Sequence, residues 1–184
     1  MTDERFARTL HAARAGEGWA LSELYRDLQP RILRYLRAFE PAEAEDLSSD
    51  VWLDVSSGLG RFEGGEPAFR GWAFTIARRR LIDLRRRRVS RATTPVPTDE
   101  LPERAGTYDV EDQVMKTLGT EAALARIATL PPDQAEVVLL RVLAGIGVRD
   151  VAAIMDKRPG TVRVLQHRAL RTLAAQVARE PVTE

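Results

Sequence analysis

Arginine is the residue type most able to do chemistry in this 184-residue chain, and it is unevenly placed. Between Arg78 and Arg91 stand eight arginines (78, 79, 80, 85, 86, 87, 88 and 91) against one acid, Asp83. Planar guanidinium groups at that density suit a polyanion, because their fork matches phosphate oxygens and guanine edges. A second basic set, Arg163, His167, Arg168 and Arg171 with Val164 and Gln166 beside them, recurs at helical spacing near the end of the chain. Acids gather elsewhere, from Glu40 to Asp54 and from Asp99 to Asp112, so the formal net charge of +1 conceals a strong asymmetry. A solvated helix face or a high-GC codon bias toward arginine is the plain alternative for the arginine block, but bias alone would spread arginine evenly.

Other chemistries are poorly served. There is no cysteine, which removes disulfides, thiolate metal sites and a thiol nucleophile. The two histidines, His11 and His167, lie far apart in sequence, and no phosphate-cradling loop or convergent set of histidine and acid is present. No catalytic residue, metal site, cofactor or small-molecule substrate is therefore expected. Carboxylates at Asp46, Asp50 and Asp54 share one straight helix, where they converge poorly on an ion. No apolar run approaches the roughly 20 residues needed to span a bilayer. The first residues, Met1 to Arg5, lack the basic-then-apolar layout of a signal peptide, so a cytoplasmic protein is expected.

The elements that must position these groups read as helices throughout. Leu21, Leu24, Tyr25 and Leu28, then Ile32, Leu33 and Leu36, form an apolar stripe that the spacing predicts to be interrupted at Pro30. Leu47, Val51, Trp52 and Val55 form a second stripe, preceded by Pro41 and ending near Gly58 and Gly60. After the polar loop Glu63-Gly64-Gly65-Glu66-Pro67, residues Phe69, Trp72, Ala73, Ile76, Ala77, Leu81 and Leu84 give a third helix that runs into the arginine block. Trp72 reads as core. Prolines at 95, 97 and 102 among polar residues mark a linker, and a structureless stretch of that length is unusual inside one domain. The expected class is all-α: a domain over 1–88, a flexible linker over 89–111, and a second small helical domain over 112–184.

In that second domain Val114, Leu118, Ala122, Leu124 and Ile127 mark a helix, and Leu130-Pro131-Pro132-Asp133-Gln134 is a helix start. Val148 to Met155 and Thr161 to Val177 then read as two helices around the turn Asp156-Lys157-Arg158-Pro159-Gly160. Ala152, Met155, Val162 and Leu165 fall where a helix-turn-helix needs one small and three apolar residues, so that its helices cross closely. The exposed face of the second helix carries Arg163, Val164, Gln166, His167, Arg168 and Arg171, suited to base edges and phosphates in a major groove. Aspartate tolerates the left-handed conformation that a glycine usually supplies at position 156.

Read together, Ala44-Glu45-Asp46-Leu47-Ser48-Ser49-Asp50-Val51-Trp52, Arg70-Gly71-Trp72-Ala73-Phe74-Thr75-Ile76-Ala77-Arg78 with Leu81-Ile82-Asp83, and Leu130-Pro131-Pro132-Asp133-Gln134 resemble the extracytoplasmic-function sigma factors of the sigma-70 family. They stand in the family's order, and the resemblance covers roughly residues 19–88 and 112–178. It implies a promoter-reading subunit without covalent chemistry. Asp46, Ser49, Asp50 and Leu53 would grip the clamp helices of the largest subunit of core RNA polymerase. Glu63, Gly64, Gly65 and Phe69 would hold a flipped −10 base, with Arg78, Arg79, Arg80, Arg85 and Arg86 tracking the −10 backbone. Arg158, Thr161, Arg163, Val164, His167, Arg168 and Arg171 would read the −35 motif of promoter DNA. The resemblance also implies a dedicated anti-sigma partner, a protein nucleoid-associated when active and sequestered when not, and no further fused module after about residue 178. Departures from the family pattern fall at Ser49, usually glutamine, at Arg79, usually asparagine, and at Val164 and Leu165, usually small polar and basic. A stand-alone helix-turn-helix regulator is the competing reading; it accounts for 147–178 but leaves the acidic helix and the Pro67–Arg88 segment unexplained.

Overall fold

Apolar side chains at every third or fourth position can be buried together only if the chain coils, and the structure, a computed structural model, is helical accordingly. It describes residues 2–92 and 122–178. An amino-terminal lobe contains α1 (Asp3–Arg14), α2 (Gly18–Phe39), α3 (Ala44–Gly58) and α4 (Glu66–Ala92), with short 3-10 turns at Pro41–Glu43 and Leu59–Arg61. A carboxy-terminal lobe contains α5 over 122–128, α6 (Pro132–Val138), a π-helical turn at Leu139–Leu143, α7 (Val148–Ile154) and α8 (Pro159–Val177). The described residues contain no strand, and no helix among them is long and apolar enough to cross a membrane.

Three boundaries differ from expectation. α2 runs straight through Pro30 rather than stopping there. The missing amide costs an intrahelical hydrogen bond, but Pro30 lies on the exposed side, while Leu24, Leu28, Ile32, Tyr35 and Leu36 are buried opposite. α4 continues through residues 89–92, which the linker was expected to include, because its arginines find acidic partners that offset their mutual repulsion. α8 starts at Pro159, two residues early, since proline's fixed φ suits the first helical position. Val114 and Leu118 of the expected helix, and the expected linker from residue 93 onward, lie outside the described residues.

One apolar cluster runs from Phe6 of α1 through Tyr35, Val51 and Phe74 to Val137, Leu140, Val151 and Val162. It crosses from one lobe into the other without a break. A smaller cluster of Leu130, Ala135, Val138 and Ala169 closes the far side of the carboxy-terminal lobe, with Phe39 of α2 packed against it. The lobes therefore share a core in this arrangement.

Candidate nucleic-acid interface

The acidic helix is set by what lies beneath it. Gln29 of α2 accepts hydrogen bonds from Ser48 Oγ and Trp52 Nε1 of α3, each at 2.7 Å, and the Tyr25 and Trp52 rings pack at 4.9 Å. With Leu47, Val51 and Val55 also buried, the rotation of α3 is fixed, and Asp46, Ser49, Asp50 and Leu53 share the outward face. Leu53 is 66% exposed, a large apolar side chain held in water between carboxylates. Ser49 turns its hydroxyl back onto the Glu45 carbonyl at 3.0 Å. Asp50 is not free: Arg80 reaches it at 3.6 Å and binds Asp54 through two nitrogens at 2.7 and 2.5 Å. The Asp54 hydrogen bond raises the Arg80 pKa further above its ordinary value. Asp46 makes no ion pair among the described residues.

The loop before α4 rests on a stack of aromatic rings. Phe62 stacks on Trp72 at 5.1 Å and meets Phe69 edge-on at 5.4 Å, while Phe69 meets Phe6 of α1 at 5.6 Å. Gly64 takes φ +135, where a Cβ would come within 2.8 Å of Ala68 Cβ and 3.3 Å of Phe62 Cζ, so only glycine lets the loop lie this close. Glu63, Gly64 and Gly65 are exposed at the tip, and the helix takes over at Glu66. Phe69 does not offer an open face: at 3% exposure its ring is enclosed by Phe6, Phe62 and Trp72. It supports the loop from below. Trp72 is half-buried against the core.

The arginine block is less free than its density implies. Arg78 is bound to Glu136, Arg80 to Asp50 and Asp54, and Arg85 and Arg88 both to Glu40, Arg88 also to Glu43. Partial burial opposes charge on Glu40, but the hydrogen bonds from Arg85 and Arg88 outweigh it and hold the carboxyl below the usual glutamate range. Arg85 also lies over the Phe39 ring, 5.4 Å from its centre. Arg79, Arg86 and Arg87 are exposed and make no ion pair among the described residues, which leaves them the side chains of the block most open to a polyanion.

In the carboxy-terminal lobe, α7 and α8 cross over Ala152, Met155 and Val162, all buried, with Leu165 half-buried at the corner. Asp156 takes φ +52, the left-handed conformation that the turn requires. Arg158, at the N-cap of α8, and Thr161, Arg163, Val164, His167, Arg168 and Arg171 along it are all exposed. Gln166 departs from the expected open face: it is half-buried and accepts a hydrogen bond from Arg141 Nε at 3.2 Å. No separate helix was expected over residues 1–14, yet α1 forms there and its Phe6 is part of the loop's foundation. The spacing of Phe6, Leu10 and Ala13 on one helix face was the available signal.

Comparison with known proteins matches this geometry. The family model for sigma-70 region 2 matches residues 24–91, and that for sigma-70 region 4 matches residues 120–173. The chain is 35% identical to the ECF RNA polymerase sigma factor BldN of Streptomyces coelicolor over 173 residues, spanning 92% of this chain and 65% of BldN. It is 34% identical to the ECF RNA polymerase sigma factor ShbA of Streptomyces griseus over 177 residues, spanning 90% of this chain and 92% of ShbA. Among solved structures, CnrH bound to the cytosolic domain of CnrY has the same fold, with a TM-score of 0.64 at 17% identity, over 96% of this chain and 99% of that one. The sigma factor RpoE of Bartonella quintana, bound to the anti-sigma factor NepR, aligns with a TM-score of 0.61 at 22% identity, over 86% and 99% of the two chains. Two helical lobes, an acidic helix, an arginine-rich helix and a terminal helix-turn-helix thus fall within one set of relatives: this chain belongs to the ECF RNA polymerase sigma factors.

Proposed function

We propose that this sigma factor directs promoter-specific initiation by dividing three contacts among three helices. The outward face of α3, with Asp46, Ser49, Asp50 and Leu53, docks on the clamp helices of core RNA polymerase. The tip Glu63-Gly64-Gly65 and the open arginines of α4, Arg79 and Arg86 foremost, hold the −10 element. Arg78, Arg80 and Arg85 join them where their acidic partners release them. Arg158 at the N-cap of α8, with Thr161, Arg163, Val164, His167, Arg168 and Arg171 along the helix, reads the −35 element, with α8 in the major groove. An anti-sigma protein is part of the reading, since RpoE was solved with one and the chain carries no cysteine that could serve as its own redox sensor. The proposal includes sequestration by that partner and association with the nucleoid on release.

The observation that carries the docking contact is the juxtaposition of Leu53, exposed, with acids at i−3 and i−7 on a helix whose rotation is locked from below. An exposed apolar residue ringed by like charge suits a basic partner surface with an apolar centre. Titration of labelled protein into core polymerase tests it. Asp46→Arg should weaken saturable binding by about tenfold or more, and Asp46→Arg/Asp50→Arg further, with helical content unchanged. Asp46→Arg is the cleaner variant because Asp50 also serves Arg80. Binding unaffected by both variants would sink the assignment of this face.

A further inference from the structure

Helix α8 is held at one rotation along its length. Val162 and Ala169 are buried, with Leu165, Gln166 and Leu173 half-buried beside them. Arg141, in the π-helical turn, donates from Nε to Gln166 Oε1 at 3.2 Å and from Nη1 to the Ile146 carbonyl at 2.5 Å. At the far end Gln176 Nε2 donates to Thr129 Oγ1 at 2.9 Å. At about 100° per residue, position 164 stands about 200° round the axis from Val162, on the side facing away from the lobe.

Val164 is thus an apolar side chain, 50% exposed, on the outermost line of the helix. Its neighbours Thr161, Arg163, His167 and Arg168 are exposed too, and neither arginine makes an ion pair among the described residues. The other large apolar side chains exposed on α8, Leu170 and Val177, lie about 120–140° away round the axis. Val164 falls in the second turn of α8, and a recognition helix meets base edges with its amino-terminal residues. Cations on both flanks draw in phosphates and fix this position over the base edges. A valine there satisfies none of the donors or acceptors of a guanine or cytosine edge, and it would leave them dry and unpaired. Thymine is the base that presents a methyl group in that groove.

We propose that Val164 sets a base preference within the −35 contact by taking the C5-methyl of a thymine at one position of the element. Thr161, exposed one turn earlier, brings a second methyl-bearing side chain to the same side. The inference rests on the reading of α8 as the −35 helix, and it adds the base that the apolar side chain selects. It also divides three consecutive residues: Val164 reads, whereas Leu165 and Gln166 hold the helix in place.

Holoenzyme assembled from the full chain and core polymerase, given promoters randomised at −35, tests it by sequencing the templates that are transcribed. The native chain should enrich an A·T pair at one −35 position. Val164→Ser should lose that preference and keep the others, while Val164→Ile, which keeps the methyl surface, should retain it. Both variants should melt at the native midpoint, as expected for an exposed position. Deoxyuridine in place of the selected thymine then removes the methyl alone. It should weaken promoter binding by the native holoenzyme about fourfold, the worth of one buried methyl, and leave binding by the Val164→Ser holoenzyme unchanged. A uracil that costs the native holoenzyme nothing would overturn the proposal and leave Val164 to a contact with protein. An equal cost to native and Val164→Ser would overturn it as well, since another residue would then hold the methyl. Selection at −35 without a thymine that depends on Val164 would remove this proposal and keep the α8 reading. No selection at −35 of any kind would sink the α8 reading and this proposal together.

Discussion

Residue identity showed which side chains could meet a polyanion but not which were free to do so. Eight arginines in 14 positions read as one basic surface. Four of them are claimed by acids 26 to 58 residues away, a pairing that no local spacing can announce. Gln29 was illegible for the same reason: its role is to receive Ser48 and Trp52 from the next helix. By contrast Asp156 was legible, because its left-handed backbone follows from where a turn must fall. Glu40 gives the prediction at this scale. Folding lowers its pKa through Arg85 and Arg88, so its stabilising contribution is complete above the ordinary glutamate value, about 4.3, and is lost as pH falls through the depressed folded value. Glu40→Gln should lower the thermal midpoint by about 2–4 °C at neutral pH. The two midpoints should converge in strong acid, and a difference that persists there would assign the effect to packing instead.

Helices were legible as elements; their junctions were less so. The stripes over Leu47–Val55 and Phe69–Leu84 are α3 and α4 nearly as the spacing implies, since burial of one face dictates the period. Pro30 misled because its cost depends on which side of the helix it occupies, and that is settled only by packing. α1 escaped notice: its apolar positions are sparse and its first turn is acidic. In the structure it underlies the Glu63–Gly65 loop, through Phe6 on Phe69 and through Arg14 Nε on the Leu59 carbonyl at 3.3 Å. Phe6→Ala should cost about 3–5 kcal/mol, as a truncated buried aromatic does. Assayed well below the lowered midpoint, it should also reduce permanganate-detected melting at −10 while leaving affinity for core polymerase unchanged. Equal loss of both would make α1 a general scaffold with no special tie to the loop.

For the whole molecule, a two-part reading follows from the prolines and polar residues between residues 89 and 111, and the described lobes stand on either side of that stretch. Their contact was invisible in sequence, since it joins Tyr35 to Glu136 across 101 residues. Two weakly binding parts gain affinity when tethered, provided the spacing of their sites matches the tether. Residues 1–92 and 112–184, expressed separately and mixed with core polymerase, should therefore initiate at a −10/−35 promoter at least about tenfold less well than the intact chain. Equal initiation would remove the need for the tether. The same 101-residue separation also orders events at birth. At about 5–20 residues per second, Tyr35 waits roughly 5–20 s on a growing chain before Glu136 is made, and Arg78 roughly 3–12 s. Every molecule of this protein thus makes its whole amino-terminal lobe before the residues that share its core exist.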